Sequence, residues 1–207
     1  VMISHGLLGI GDSAFAMVMG RIGAQFVSAN AITLVVQKIS TIFISGMSYA
    51  GCFITGQTLG EGNQKAAQRH GYTFLFCGVA VGVLAGLIIY VIREPIISAY
   101  NITQETREIA RQLMDAISII IIFRSANSIL TKGVLRGGGD TKFLMVADTS
   151  MMWLISLPLG ALAGLVLHWP AFWVFACLNA DQIVKAIWCV FRLKSGKWIK
   201  KIQSAAA

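Results

Sequence analysis

Apolar runs long enough to cross a bilayer recur along the whole of this 207-residue chain. A spanning helix needs about 20 mainly apolar residues. Six stretches fit, at roughly residues 1–21, 31–57, 71–92, 113–135, 143–167 and 170–193. In lipid the backbone must satisfy its own hydrogen bonds, so each run is expected as helix rather than open strand. The short alternating segments of a β-barrel do not occur. Only 13% of the residues are charged, against about 25% in a soluble domain. With 56% apolar residues and a mean hydropathy of +0.72, the chain suits lipid better than water. The predicted fold class is all-α: a polytopic membrane bundle of six transmembrane helices.

Two runs are unusual. The first holds Gly6, Gly9, Gly11, Asp12 and Ser13, and the fourth holds Arg124 and Lys132. Their polar faces are expected to turn toward protein or a water-filled cavity. Residues 58–70 and 136–142 read as polar turns. Residues 93–112, with Pro95 and six charges, read as a longer, partly helical interfacial segment. Trp169-Pro170 reads as a tight turn. Gly78, Gly82 and Gly86, and separately Gly160 and Gly164, form small-residue stripes that let helices approach closely. Pro158 is expected to kink the fifth helix.

The formal charge is +8 and the pI about 9.6. Nucleic acid is not the expected partner, because the basic residues sit between apolar runs and at the terminus. Membrane sidedness explains them more simply. Lys65, Arg69, Arg136, Lys142, Arg192, Lys194, Lys197, Lys200 and Lys201 fall on one side. Arg21, Lys38, Arg93, Arg107 and Arg111 fall on the other, diluted by Glu94, Glu105 and Glu108. The first side, with the C-terminus, is expected in the cytoplasm. Cys52, Cys77, Cys177 and Cys189 lie inside apolar runs and read as small hydrophobes. No metal-ligand or catalytic-triad spacing occurs, and His5, His70 and His168 are scattered, so neither an enzyme nor a bound cofactor is expected. The chain opens on Val1 without a signal-peptide pattern, so it is expected to begin inside a longer protein.

Ionisable groups inside the bilayer carry the chemistry, because each costs about 2.5–3.5 kcal/mol on insertion scales. They are Asp12, Arg124, Lys132, Asp148, Asp181 and Lys185, with His5 near the start. Asp181 and Lys185 are spaced i, i+4, within ion-pair reach on one face. They form either a self-neutralised structural pair or a carboxylate that releases its Lys when a cation arrives. Asp148 either pairs locally, with Lys142 or Lys132, or exchanges a proton for a cation. Burial raises a carboxylate's pKa and a nearby cation lowers it, which couples two ligands at one site. His5 and Asp12, seven apart, share a face, and an unperturbed His titrates near pH 6.5. Arg124, Ser128, Lys132 and Arg136 run along one face, either paired with acidic residues or contacting substrate. Gly137-Gly138-Gly139-Asp140-Thr141-Lys142 lacks the strand and the spacing of a phosphate loop. It reads as a helix end followed by an ordinary helix cap.

Four junctions resemble one family in order. Gly20-Arg21-Ile22-Gly23 with Ala29-Asn30-Ala31-Ile32 is similar to the start of the second half of MATE (multidrug and toxic compound extrusion) transporters. Gly56-Gln57-Thr58-Leu59-Gly60-Glu61-Gly62-Asn63 with Ala66-Ala67 resembles the turn after that family's eighth helix. Gly133 to Phe143, with Arg136-Gly137-Gly138-Gly139-Asp140 at its centre, resembles the turn after the tenth. Arg192 to Ile199 resembles the terminal segment. The resemblance implies that residues 1–207 are the C-terminal six-helix lobe, helices seven to twelve, of a two-lobe transporter whose N-terminal lobe is not in this chain. It further implies antiport of cationic amphipathic drugs against H+ or Na+, in a cell membrane of bacterial inner-membrane type. The implied partners are lipid, small cationic organic substrates and the missing lobe. The implied coupling residues are Asp148, Asp181, Asp12 and His5, the last standing where many relatives carry a Glu. Counting back from Leu135-Arg136 gives Ser125 where some relatives carry an acidic residue. Arg124, Ser125, Asn127, Ser128, Lys132 and Asn30 are the implied cavity residues, without a sodium-binding carboxylate on the fourth helix. Two alternatives stay open: a lipid-linked oligosaccharide flippase of the same superfamily, and a non-transporting membrane module.

Overall fold

A computed structural model describes residues 2–167 and 169–199. The side chains of residues 2–8 and of Asp12 lie outside the description, and with them the expectations for His5 and Asp12. His168, Lys200 and Lys201 lie outside it too.

Every regular element described is helical. α1 (Met2–Ile22) meets α2 (Ala24–Gly60) across Gly23. α3 (Gln64–Ala99) follows a tight turn, and then α4 (Gln104–Ser128), which continues as a π-helical stretch over Ile129–Leu135. α5 (Thr141–Met151), a π-helical turn Met152–Ser156, α6 (Leu157–Ala161) and a second π-helical turn Leu162–Val166 form one rod. α7 (Ala171–Leu178) and α8 (Ala180–Lys194) complete the order. Four helices are long and apolar enough to span a membrane: Ala24–Gly60, Gln64–Ala99, Gln104–Leu135 and Thr141–Val166. The α7–α8 pair, bent by 41°, makes a fifth if it is one span. The remaining expected run forms α1, which is not among these spans.

Three expectations need correction. The second run does not begin at residue 31: α2 starts at Ala24, so Lys38 lies deeper in the helix than its assignment to one membrane side expects. Residues 93–112 are helical over more of their length than expected. α3 runs through Pro95 to Ala99, and only residues 100–103 separate it from α4. Charge pairing explains this, because Arg93 meets Asp115 and Arg111 Nη2 donates to Glu94 Oε2 at 2.9 Å, zipping the two helices together. The sixth run is not one continuous helix but breaks at Asn179. Pro158 follows the π-helical turn Met152–Ser156, whose wider winding adjusts the backbone just before the proline ring.

α4 is the central element. In the most apolar window of Gln104–Leu135 61% is buried, against 33%, 22% and 22% in the other three long spans, so this helix is the most enclosed of the four. Leu113, Met114, Ile117, Ile121, Ile129 and Leu130 fill the core along it. The glycine stripe of α3 seats directly on it. A Cβ at Gly82 would stand 2.8 Å from the Ile122 Cα, and one at Gly86 would collide with the Ser118 carbonyl. On the outside, Phe43, Phe53, Phe76, Leu84, Val91 and Leu154 are exposed. At roughly 25 cal/mol per Å² such a belt is costly in water and free of cost in lipid.

The helix ends sort into two groups. At one end the α2–α3 turn, the α4–α5 turn and the C-terminal segment meet. Trp198 is fully buried over Gly138, its Nε1 donates to Gln68 Oε1 at 2.9 Å, and Gln68 Nε2 donates to the Leu193 carbonyl. At the other end Gln25 reaches Glu105, and Gln112 accepts from the Phe172 amide.

Candidate functional site: a polar cavity in the bundle

Within this frame lies a cavity of about 620 Å³, walled by α1, α2, α4 and its π-helical extension, α5, α7 and α8. Its position follows from two irregularities. The π-helical stretch after Ser128 turns Thr131 and Lys132 to the cavity, and the break at Asn179 places Asp181 in the first turn of α8. π-turns gather at functional sites. A helix broken inside a membrane marks a binding site in many transporters, because its free N–H and C=O groups face a polar space. Here the Ser156 hydroxyl donates to the Leu178 carbonyl exposed by the break.

Three charged side chains converge on one wall. Lys185 Nζ lies 3.0 Å from Asp148 Oδ1 and 3.4 Å from Asp181 Oδ2. Lys185 and Asp181 are buried, whereas the Asp148 side chain keeps 36% of its surface exposed. Gln182 Nε2 donates to Asp181 Oδ2 at 2.7 Å, and Asn127 Nδ2 donates to Gln182 Oε1 at 2.9 Å. A relay thus runs from α4 through α8 to the carboxylates. Asn127 Oδ1 is itself buried without a hydrogen-bond partner among the described residues. On the facing wall Arg124 donates to Gln37 Oε1 of α2 at 2.6 Å.

Of the residues singled out by sequence, Asn30, Arg124, Asn127, Ser128, Lys132, Asp148 and Asp181 all line this cavity. Ser125 does not. Its side chain is fully buried against α3, and its hydroxyl donates to the Gly78 carbonyl at 2.8 Å, so it serves packing. Asp148 pairs across the bundle with Lys185, not locally with Lys142 or Lys132, because α8 crosses beside it. Arg124 and Lys132 make no ion pair among the described residues; Asp12, one partner that their spacing allows, lies outside the description. Gly60, Gly62, Arg136, Gly137, Gly138, Gly139 and Asp140 lie away from the cavity, at the end closed by Trp198. Gly62 and Gly139 adopt the left-handed backbone at φ 79° and 80°, which suits glycine in a tight turn. Asp140 stands at the start of α5 without the expected capping bond, and its carboxylate accepts from Arg192 Nε at 2.7 Å. Sequence reasoning missed Gln37 and Gln182. Their signal was available, since each is an amide inside an apolar run.

Long apolar helices with an exposed apolar exterior, enclosing a polar cavity with two carboxylates in its wall, define a polytopic membrane protein. The particular family is shown by comparison: the chain belongs to the MatE family of transporters, whose model matches residues 4–175. It is 28% identical over 196 residues to the multidrug resistance protein MdtK of Yersinia pseudotuberculosis, covering 92% of this chain and 42% of that protein. It is 31% identical over 156 residues to the probable multidrug resistance protein NorM of Mesorhizobium japonicum, covering 72% and 33%. A crystal structure of MATE in complex with MaL6 superposes with a TM-score of 0.73 at 12% identity, covering 91% of this chain and 46% of that one. The chain therefore spans less than half the length of these relatives.

Proposed function

We propose that this chain is the C-terminal lobe, helices seven to twelve, of a twelve-helix antiporter that exports cationic amphipathic compounds in exchange for H+ or Na+. The observation that carries the reading is the convergence of Asp148 and Asp181 in the wall of one cavity. A carboxylate there binds either a proton or an organic cation, and mutual exclusion of the two is what exchange requires. Rocking of this lobe against the absent one would open the cavity to each side in turn. Membership in a family whose relatives are named for multidrug resistance supports export as the direction. In this reading α1 is the sixth span, and the membrane is the bacterial inner membrane with the C-terminus in the cytoplasm.

Efflux of a cationic dye from cells making the full-length protein tests the proposal. D148N and D181N together are expected to abolish export while the protein still reaches the membrane. Full export by that double variant removes the two residues from the mechanism. A second reading, a flippase for a lipid-linked pyrophosphate, is favoured by one observation. Arg124 and Lys132 face the same cavity without a carboxylate partner among the described residues. Dye export with unaltered envelope synthesis on gene deletion argues against it. A gene encoding only this segment would favour the non-transporting module instead.

A further inference from the structure

Lys185 is a cavity residue whose ammonium is held by two carboxylates at once. Its ammonium stands between two carboxylates on different helices, Asp148 of α5 and Asp181 of α8. The two carboxylates differ. Asp181 is buried and held by Gln182 as well as by Lys185, so it has a second partner if the lysine leaves. Asp148 has only Lys185 within ion-pair distance among the described residues, and it is the more exposed of the two. Lysine suits such a role better than arginine, because its compact ammonium sits on a flexible stem of four carbons and makes no fixed fork.

We propose that Lys185 is a tethered competitor: it holds Asp148 while the cavity is empty, and a cationic substrate binds by displacing the Lys185 ammonium from Asp148 toward Asp181. This rests on the reading of the cavity as an export site for organic cations and adds the device that sets its affinity. The empty site then never presents a bare carboxylate. An incoming cation gains only the difference between its own contact with Asp148 and that of Lys185, which keeps binding weak enough for release. Among the described residues the other charges on the cavity wall are Arg124 and Lys132, which lie within ion-pair distance of neither carboxylate and are kept in every variant below. The effect of Lys185 itself can therefore be separated from the general field.

The experiment is fluorescence polarisation of ethidium, a permanently charged monocation, on purified full-length protein. K185Q alone would leave two uncompensated carboxylates and is at risk of misfolding. The informative variant is D181N/K185Q, in which the net charge of the three groups is the same as in the wild type while Asp148 has lost its competitor. It is expected to bind ethidium roughly tenfold tighter, the lower end of what a close charge pair is worth. K185R, whose planar fork grips carboxylates more firmly, is expected to bind more weakly than the wild type. Binding by D181N/K185Q but not by the wild type supports the inference in its strongest form. Equal or weaker binding by the double variant, with measurable wild-type binding, overturns the competitor role and leaves the export reading standing. Absence of ethidium binding in both overturns the inference together with the organic-cation reading.

Discussion

At the level of single residues, neighbours on the same helix do different work. Asn127 and Ser125 are two apart on α4, and both are buried. Asn127 holds Gln182, which holds Asp181, so N127A is expected to loosen the carboxylate without removing it. The lost hydrogen bond is worth about 1 kcal/mol, which is several-fold in dye affinity by fluorescence polarisation. S125A breaks only the bond to the Gly78 carbonyl. It is expected to lower the thermal midpoint slightly, again by about 1 kcal/mol, and to leave dye affinity unchanged. Equal effects of the two variants on affinity would mean that the relay from α4 to Asp181 carries nothing. Spacing along α4 puts Arg124, Ser128 and Lys132 on one face, and all three do line the cavity. Spacing does not reveal which acidic group answers which base, because that depends on how α5 and α8 cross. For that reason the Asp181–Lys185 pair was legible along one helix and the Asp148–Lys185 pair between helices was not.

At the level of elements, contact between α3 and α4 depends on glycine. A side chain at Gly82 would press on the backbone of Ile122, and backbone cannot step aside as a flexible side chain can. G82A is therefore expected to destabilise the protein by about 1–3 kcal/mol, read as a lowered midpoint of thermal unfolding in detergent. Gly46 on α2 is the control, since nothing stands within 4 Å of the Cβ it would gain. G46A is expected to be neutral or slightly stabilising, because alanine is favoured over glycine in a helix by about 0.5–1 kcal/mol. A G82A protein as stable as G46A would remove close approach as the reason for the stripe. The stripe was visible in the sequence because small residues four apart always fall on one helix face. The break at Asn179 was not, because nothing in Leu178-Asn179-Ala180 demands it. There the tertiary setting decides, with Ser156 of the neighbouring rod taking the Leu178 carbonyl. The length of α3 was hidden for a related reason. Charges that interrupt the apolar pattern in sequence stay in helix when the partner helix supplies opposite charges in register.

The whole molecule has two unlike ends, and this difference predicts its orientation. One end carries Lys65, Arg69, Arg136, Lys142, Arg192, Lys194 and Lys197, and among the described residues only Arg192 of these makes an ion pair. At the opposite end Arg93 and Arg111 are paired with Glu94, Glu108 and Asp115. Orientation follows the count of Lys and Arg in short loops, with acidic residues contributing little, so the first end is expected in the cytoplasm. The two ends also differ in construction. Trp198, Gln68 and the Arg192–Asp140 pair bind the C-terminal segment to both turns at the basic end, so its loops are fixed relative to each other and share one side. Thiol labelling in intact cells measures this. In full-length protein with Cys52, Cys77, Cys177 and Cys189 replaced, N101C is expected to react with a membrane-impermeant maleimide added outside. K197C, equally exposed, is expected to react only after the cells are permeabilised. The reverse pattern would invert the molecule in the membrane. Labelling of both from outside would show that the two ends do not lie on opposite faces of the bilayer, and the spanning arrangement of α2, α3 and α4 would fall with it.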